Sequence, residues 1–98
     1  MIKVIIDQYC QPNKEEQFSG LLLELREMAI RQRGYISGET LREIINPFHF
    51  KIISTWSTLK DWKTWQRSSQ RLLLEAMMES MTTDGRNLRI FSVDHGSE

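Results

Sequence analysis

The three tryptophans of the chain, Trp56, Trp62 and Trp65, lie close together where the sequence pattern changes. An apolar β-branched run ends in a Ser/Thr cluster, and a segment with helical spacing follows it. Three large indole rings are not exposed together at low cost, so they wall either a core or a ligand pocket.

Few other side chains have the type and spacing expected of a catalytic, metal-binding or anion-binding site. Cys10 is the only cysteine, which excludes an internal disulfide and leaves a nucleophile or a small buried residue. His49 and His95 are too few and too far apart for a metal site, so we expect no metal ion. Arg67 and Arg71 lie four residues apart on a predicted helix, where they could hold an anionic substrate or form a solvated face.

Apolar periodicity predicts four strands and two helices. The strands are expected from Ile2 to a break at residues 11–13, from Tyr35 to about Ile44, from Phe48 to Thr55 and from Asn87 to about Asp94. The helices are expected from Lys14 to about Gln32 and from Leu59 to about Met81, the second with an interruption near Ser68. Residues 82–85 are expected to form a turn.

Local signals predict the ends of these elements. Asn13 is expected to cap the first helix, and Ser57 or Thr58 the second. Gly34 is expected at the C-cap of the first helix with a positive φ. In the second strand, alternation is expected to put Tyr35, Ser37, Glu39 and Leu41 on one face and Ile36, Gly38, Thr40 and Arg42 on the other.

The order β-α-β-β-α-β predicts a ferredoxin-like α+β fold, with one antiparallel four-stranded sheet and the helices on one face. Residues 1–94 are expected to form one domain, and residues 95–98 a frayed C-terminal tail. The other face of the sheet carries apolar residues that a chain of 98 residues has no further element to cover. We therefore expect a homodimer.

Composition argues against several classes of partner. The chain has 13 basic and 13 acidic residues without a run of like charge, which favours neither nucleic acid nor an anionic membrane surface. No apolar run approaches the length of a membrane span, and the first residues are typical of a strand rather than a signal peptide. We expect a cytoplasmic protein.

The third strand ends in Ile53-Ser54-Thr55-Trp56, and Asp61-Trp62-x-x-Trp65 opens the next helix. With Arg33-Gly34-Tyr35 before the second strand, this arrangement resembles the antibiotic biosynthesis monooxygenase (ABM) domain family, over about residues 1–93. The resemblance implies a dimeric α+β barrel in which each subunit has a cavity between its own sheet and helices.

The resemblance also extends to a haem-degrading branch of that family. Trp65 matches a tryptophan that lies beside the ligand there, nine residues after the one that closes the third strand. The proximal histidine of that branch corresponds to Glu75, and an asparagine near the end of the first strand corresponds to Asp7 or Gln8. Because a carboxylate is a poor replacement for imidazole on haem iron, we expect no haem and no other cofactor.

The other activity implied by the resemblance is cofactor-free oxidation, in which the substrate itself supplies electrons to O₂. Such chemistry needs an apolar cavity and a group that removes or holds a phenolic proton. The expected substrate-binding residues are Trp65, Trp56, Ser37 and Arg67, and the expected catalytic residues are His49, Tyr35 and Asp7. Core packing of Trp65, and solvent exposure of His49 and Asp7, are the competing interpretations.

The predicted function is therefore that of a cofactor-independent monooxygenase acting with O₂ on a small aromatic or quinol-type compound. The alternative is a non-catalytic dimeric module that binds a small molecule in the same cavity.

Overall fold

The computed structural model describes residues 1–83 and 85–96, which form one antiparallel four-stranded sheet and three helices. The elements are β1 (Ile2–Tyr9), α1 (Glu15–Ala29), β2 (Tyr35–Arg42), β3 (His49–Trp56), α2 (Leu59–Gln66), α3 (Ser69–Glu79) and β4 (Asn87–Ser92). The strand order in the sheet is β2-β3-β1-β4. The predicted ferredoxin-like α+β fold is confirmed, with the second helix divided in two.

Two predicted segments include positions outside the described residues: Asp84 in the turn 82–85, and Ser97 and Glu98 in the tail 95–98. Within the described residues, no helix is both long and apolar enough to cross a membrane.

The two faces of the sheet have different surroundings. The inner face packs against the helices and carries buried side chains from β1 and β3: Val4, Ile6, Phe50 and Trp56. The outer face carries the alternate residues, in which apolar and charged side chains are mixed: Ile5, Asp7, Lys51, Ile53, Arg89 and Phe91. Inner and outer residues thus alternate along β1 and β3.

A β-bulge at Ile36 changes the orientation of one residue in β2. Tyr35 pairs with Trp56 and Ser37 pairs with Thr55, so the register shifts between them. Because successive strand residues point to opposite faces, the extra residue puts Tyr35 on the inner face and Ser37 on the outer face. The prediction that Tyr35 and Ser37 share a face is therefore wrong.

Serine and threonine caps explain where the second and third helices begin. The Thr58 hydroxyl accepts a hydrogen bond from the backbone N–H of Asp61 at 3.1 Å, and it donates to the Asp61 carboxylate at 2.9 Å. The Ser68 hydroxyl accepts from the backbone N–H of Arg71 at 3.2 Å. Such bonds satisfy N–H groups that have no partner within the helix. The Thr58 cap and the interruption near Ser68 are confirmed.

Two boundaries predicted for the first helix are wrong. Its N-cap is Lys14, because Asn13 has a φ of 69° in the left-handed region and belongs to the preceding turn. The helix ends at Ala29, so Gly34 is not its C-cap. Gly34 instead precedes β2, where its φ of 85° confirms the expected positive φ.

The tryptophans join α2 to the sheet. Trp56, Trp62 and Trp65 are only 0%, 2% and 4% exposed and share a core with Val4, Ile6 and Ala29. The Trp56 and Trp62 ring centroids are 6.0 Å apart. Such aromatic pairs contribute about 0.5–1.5 kcal/mol each beyond the burial of their area.

Gly34→Ala should destabilise the fold, because a methyl group there would overlap the Asp61 carboxylate on a backbone that already has a positive φ. We expect the free energy of unfolding to fall by at least about 1 kcal/mol in urea denaturation. Gly20→Ala is the matched control: an added Cβ meets no atom within 4 Å, and alanine favours the helix by up to about 1 kcal/mol. Equal stability of Gly34→Ala and the wild type would contradict this account.

Candidate functional site

A small cavity of about 60 Å³ lies between the inner face of the sheet and the helices. Aromatic side chains from β2 and α2, together with polar side chains from β1 and α3, line it: Tyr35, Trp62, Trp65, Gln8, Arg71 and Glu75. Other depressions reach about 400 Å³, but most of the residues that line them are exposed. The cavity is therefore the best-formed candidate for a ligand site.

The aromatic wall depends on a close approach of two parts of β2. A Cβ on Gly38 would lie 2.6 Å from the Tyr35 hydroxyl oxygen, so only glycine leaves room for the phenol at this place. Tyr35 also meets Trp56 edge to face, with centroids 5.4 Å apart. Trp56 itself does not line the cavity; it lies behind the wall, and its indole N–H donates to Ser54 at 2.9 Å.

The indole N–H of Trp62 has no such partner. This nitrogen is buried and makes no hydrogen bond within the described residues. A buried donor without an acceptor costs free energy, and its presence in the wall of a cavity calls for a physical explanation.

A buried arginine supplies the charge of the cavity. Arg71 is 5% exposed, and its guanidinium lies 5.3 Å from the ring centroid of Trp62. It pairs with Glu75 at 3.1 Å, and Arg86 lies 3.9 Å from the same carboxylate oxygen. Burial lowers the pKa of the Arg71 guanidinium, although the charge of Glu75 acts in the opposite direction.

The sequence contained a signal for Arg71. Arg71, Leu74 and Met78 fall at helical spacing, and all three are buried residues of α3. The Ser68 cap begins a new helix, so these three residues form a buried face of α3 alone. The preceding helix, α2, has already ended before Arg67. Arg67, the arginine predicted to bind substrate, is exposed and does not line the cavity.

A second polar cluster occupies the outer face of the sheet. His49 Nε2 lies 2.7 Å from an Asp7 carboxylate oxygen, and His49 Nδ1 lies 2.8 Å from Glu43. Arg89 and Lys51 also contact Asp7, at 3.3 and 3.7 Å. The sheet therefore separates these ionisable groups from the cavity.

The electrostatics of this cluster follow from its pairs. Hydrogen bonds with Glu43 and Asp7 raise the pKa of His49, and they outweigh the opposing effect of burial. Burial raises the pKa of Asp7, but the hydrogen bond with His49 and the charges of Lys51, His49 and Arg89 outweigh it, so that the pKa is lowered. A charged His49–Asp7 pair is the favoured state.

The predicted site residues thus fall in different places. Tyr35 and Trp65 line the cavity, and Trp56 lies behind it. Ser37, His49 and Asp7 are on the outer face. Among residues 1–83 and 85–96, no group of three or more His, Cys, Asp or Glu side chains is placed to hold a metal ion.

Comparison with known proteins gives a family and several similar folds. Residues 1–76 match the family model described as antibiotic biosynthesis monooxygenase. Among curated protein sequences, none matches the chain.

Similar solved structures come from several bacteria. One is a candidate antibiotic biosynthesis monooxygenase from Nitrosomonas europaea, 19% identical, with a TM-score of 0.89 over 97% of this chain and 100% of that one. Another such candidate, from Deinococcus radiodurans, is 13% identical, with a TM-score of 0.92 over 100% and 97%. SnoaB, a cofactor-independent oxygenase from Streptomyces nogalater, is 13% identical, with a TM-score of 0.84 over 97% and 95%. At these identities the likeness establishes the fold.

His49→Gln should cost more stability at about pH 6 than at about pH 9. A histidine whose pKa is raised by folding stabilises the fold below its unfolded pKa, and this contribution is lost as the pH rises through the folded value. The measurement is urea denaturation of both proteins at each pH. His95→Gln is the control, because the His95 side chain is 82% exposed and should show no such difference. An equal loss for His49→Gln at both pH values would contradict the charged pair.

Proposed function

Because the chain belongs to the antibiotic biosynthesis monooxygenase family, we propose that it is a cofactor-independent monooxygenase acting with O₂ on a small aromatic or quinol-type compound. The observation that carries the proposal is the cavity between sheet and helices, walled by Tyr35, Trp62 and Trp65. In cofactor-free oxidation the substrate supplies the electrons, so the protein must bind an aromatic ring, bias its ionisation and exclude water. An aromatic cavity between sheet and helices, with a few polar groups, is suited to these tasks.

The proposed roles follow the position of each side chain. Trp65 and Trp62 bind the faces or edges of the substrate ring, and the Tyr35 hydroxyl is the proposed hydrogen-bonding group beside its phenolic oxygen. His49 and Asp7 lie across the sheet from this cavity, so we assign them to the outer face and not to proton transfer within it. Trp56 supports the wall from behind.

The size of the cavity restricts the substrate. Its volume of about 60 Å³ is smaller than the cavity of about 150 Å³ that binds benzene in another protein. A ligand therefore reaches beyond the enclosed space, toward the exposed lining residues Arg26 and Thr40. A single-ring compound fits this geometry better than a polycyclic one.

A homodimer through the outer face is part of the proposal. That face carries four partly exposed apolar side chains, Ile5, Leu41, Ile53 and Phe91, beside the ion-paired cluster around Asp7. Apolar residues around satisfied charges are typical of a surface that is covered by a partner. Two such faces together would form the α+β barrel. The cytoplasmic location that we propose is supported by the single, buried Cys10.

The competing function is a non-catalytic binding module that uses the same cavity. One observation favours it: neither His49 nor His95 lines the cavity. Oxygen consumption with a panel of single-ring hydroquinones, without added cofactor, distinguishes the two functions. An enzyme should consume O₂ faster than the uncatalysed reaction, whereas a binding module should only bind the compounds.

Trp65→Phe should weaken hydroquinone binding and turnover, because it reduces the contact surface of the cavity wall while keeping much of the volume. Trp65→Ala should remove turnover and also lower the free energy of unfolding by about 3–5 kcal/mol. The turnover of each variant is therefore divided by the concentration of folded protein. Phe18→Leu is the control, since Phe18 is 0% exposed in a separate core cluster and should lose stability alone. Unchanged turnover in folded Trp65→Ala would mean that Trp65 has only a structural role.

The wild-type protein should sediment as a dimer at micromolar concentration, with an interface above about 2,000 Å² in total. Phe91→Glu should shift it toward monomer, because the new carboxylate would be buried without a partner in the interface. Leu73→Glu, on the exposed side of α3 at 67% exposure, should leave the dimer intact. A folded wild-type monomer would rule out this part of the proposal.

A further inference from the structure

A hydrogen-bond donor without an acceptor lies in the wall of the cavity. The Trp62 indole N–H is buried and unpaired within the described residues. A buried donor of this kind is normally satisfied, which suggests that a ligand with an acceptor atom completes it.

Arg71 adds further donors beside Trp62. A guanidinium carries five N–H groups in a fixed fork. In the described residues, Arg71 contacts two acceptors, Glu75 at 3.1 Å and the backbone carbonyl of Gln66 at 3.4 Å. The guanidinium therefore retains donors for a ligand that reaches the inner wall.

The charges around this wall favour an anion. Arg71 and Arg86 both lie near the single carboxylate of Glu75, so the three side chains together carry a positive charge. Arg26, which is exposed and also lines the cavity, adds to it. Glu39 also lines the cavity, but its strand position places its side chain on the outer face with Ile53.

We propose that Arg71 and the Trp62 indole N–H bind the ionised oxygen of a single-ring phenol in this cavity. The assignment rests on the proposed function, and it names Arg71 as the residue that stabilises the phenolate. On binding, the O–H bond of the phenol breaks, its electron pair stays on oxygen, and the proton passes to the buffer. The ring thereby becomes electron-rich, which is the form that can donate electrons to O₂.

Glu75 has a distinct part in this arrangement. In the free protein it is the anion that holds Arg71, so it competes with the phenolate for the same guanidinium. Glu75→Gln should therefore strengthen phenolate binding, whereas a purely structural ion pair would predict only a loss of stability.

The probe is 4-nitrophenol, whose phenolate absorbs visible light, so that its ionisation can be followed directly in the complex without O₂ or turnover. With the wild-type protein, the pKa of the bound phenol should be lower than that of the free phenol by about one unit or more. Arg71→Gln should abolish this shift and weaken phenolate binding at least about tenfold. Arg71→Lys should restore part of the shift, because it keeps the charge without the planar fork.

Controls separate the proposal from loss of folding. Arg31→Gln removes one exposed positive charge and should retain the wild-type shift. If Arg71→Gln does not fold, the double variant with Arg71→Gln and Glu75→Gln takes its place, because it removes both charges of the pair. Glu75→Gln alone must still increase the pKa shift of the bound phenol. Failure of 4-nitrophenol to bind, an unchanged pKa in the complex, or a shift that survives Arg71→Gln would overturn the proposal.

The two proposals can fail separately. An Arg71-dependent shift without oxygen consumption on any hydroquinone would support the phenolate site and reject the oxygenase. Oxygen consumption that is unchanged in folded Arg71→Gln would support the oxygenase and reject the phenolate site.

Discussion

The packing of α2 onto the end of β3 is the constraint on which the rest of the site depends. Trp56 ends β3, Thr58 caps α2, and the ring centroid of Trp62 lies 6.0 Å from that of Trp56. Because the chain turns between these points in only a few residues, the position of the helix is fixed at both its start and its buried face. The cavity is the space left between this helix pair, α1 and the sheet, and its aromatic wall is therefore an extension of the core.

The order of elements and most of their ends could be predicted from the sequence, since they follow from local patterns. The alternation in β1 and β3, the cap at Thr58 and the interruption at Ser68 each depend on a few neighbouring residues. The face on which Tyr35 lies could not be predicted in this way. The bulge at Ile36 arises from pairing with β3, and a strand with mixed faces contains no local signal for one inserted residue.

The candidate site was harder to predict for the same reason. Residue type suggested His49, Asp7 and Ser37, but the sheet separates all three from the cavity. The spacing of Arg67 and Arg71 left open whether they hold an anionic substrate or form a solvated face, and the structure exposes Arg67 and buries Arg71. A buried arginine is stable only with a partner that the fold supplies, and here that partner is Glu75, one helical turn away.

The division of the second helix has a mechanical consequence. Trp62 and Trp65 belong to α2, and Arg71 and Glu75 belong to α3. The aromatic and charged walls are therefore parts of separate helices, which meet at a joint formed by Arg67 and Ser68. Hydrogen bonds cross this joint: the Ser68 backbone N–H donates to the Trp65 carbonyl at 3.0 Å, and the Arg71 guanidinium donates to the Gln66 carbonyl at 3.4 Å. These bonds fix the angle between the two helices, and with it the shape of the cavity between their walls. A substitution at the joint would change which ligands fit while leaving every lining side chain as it is.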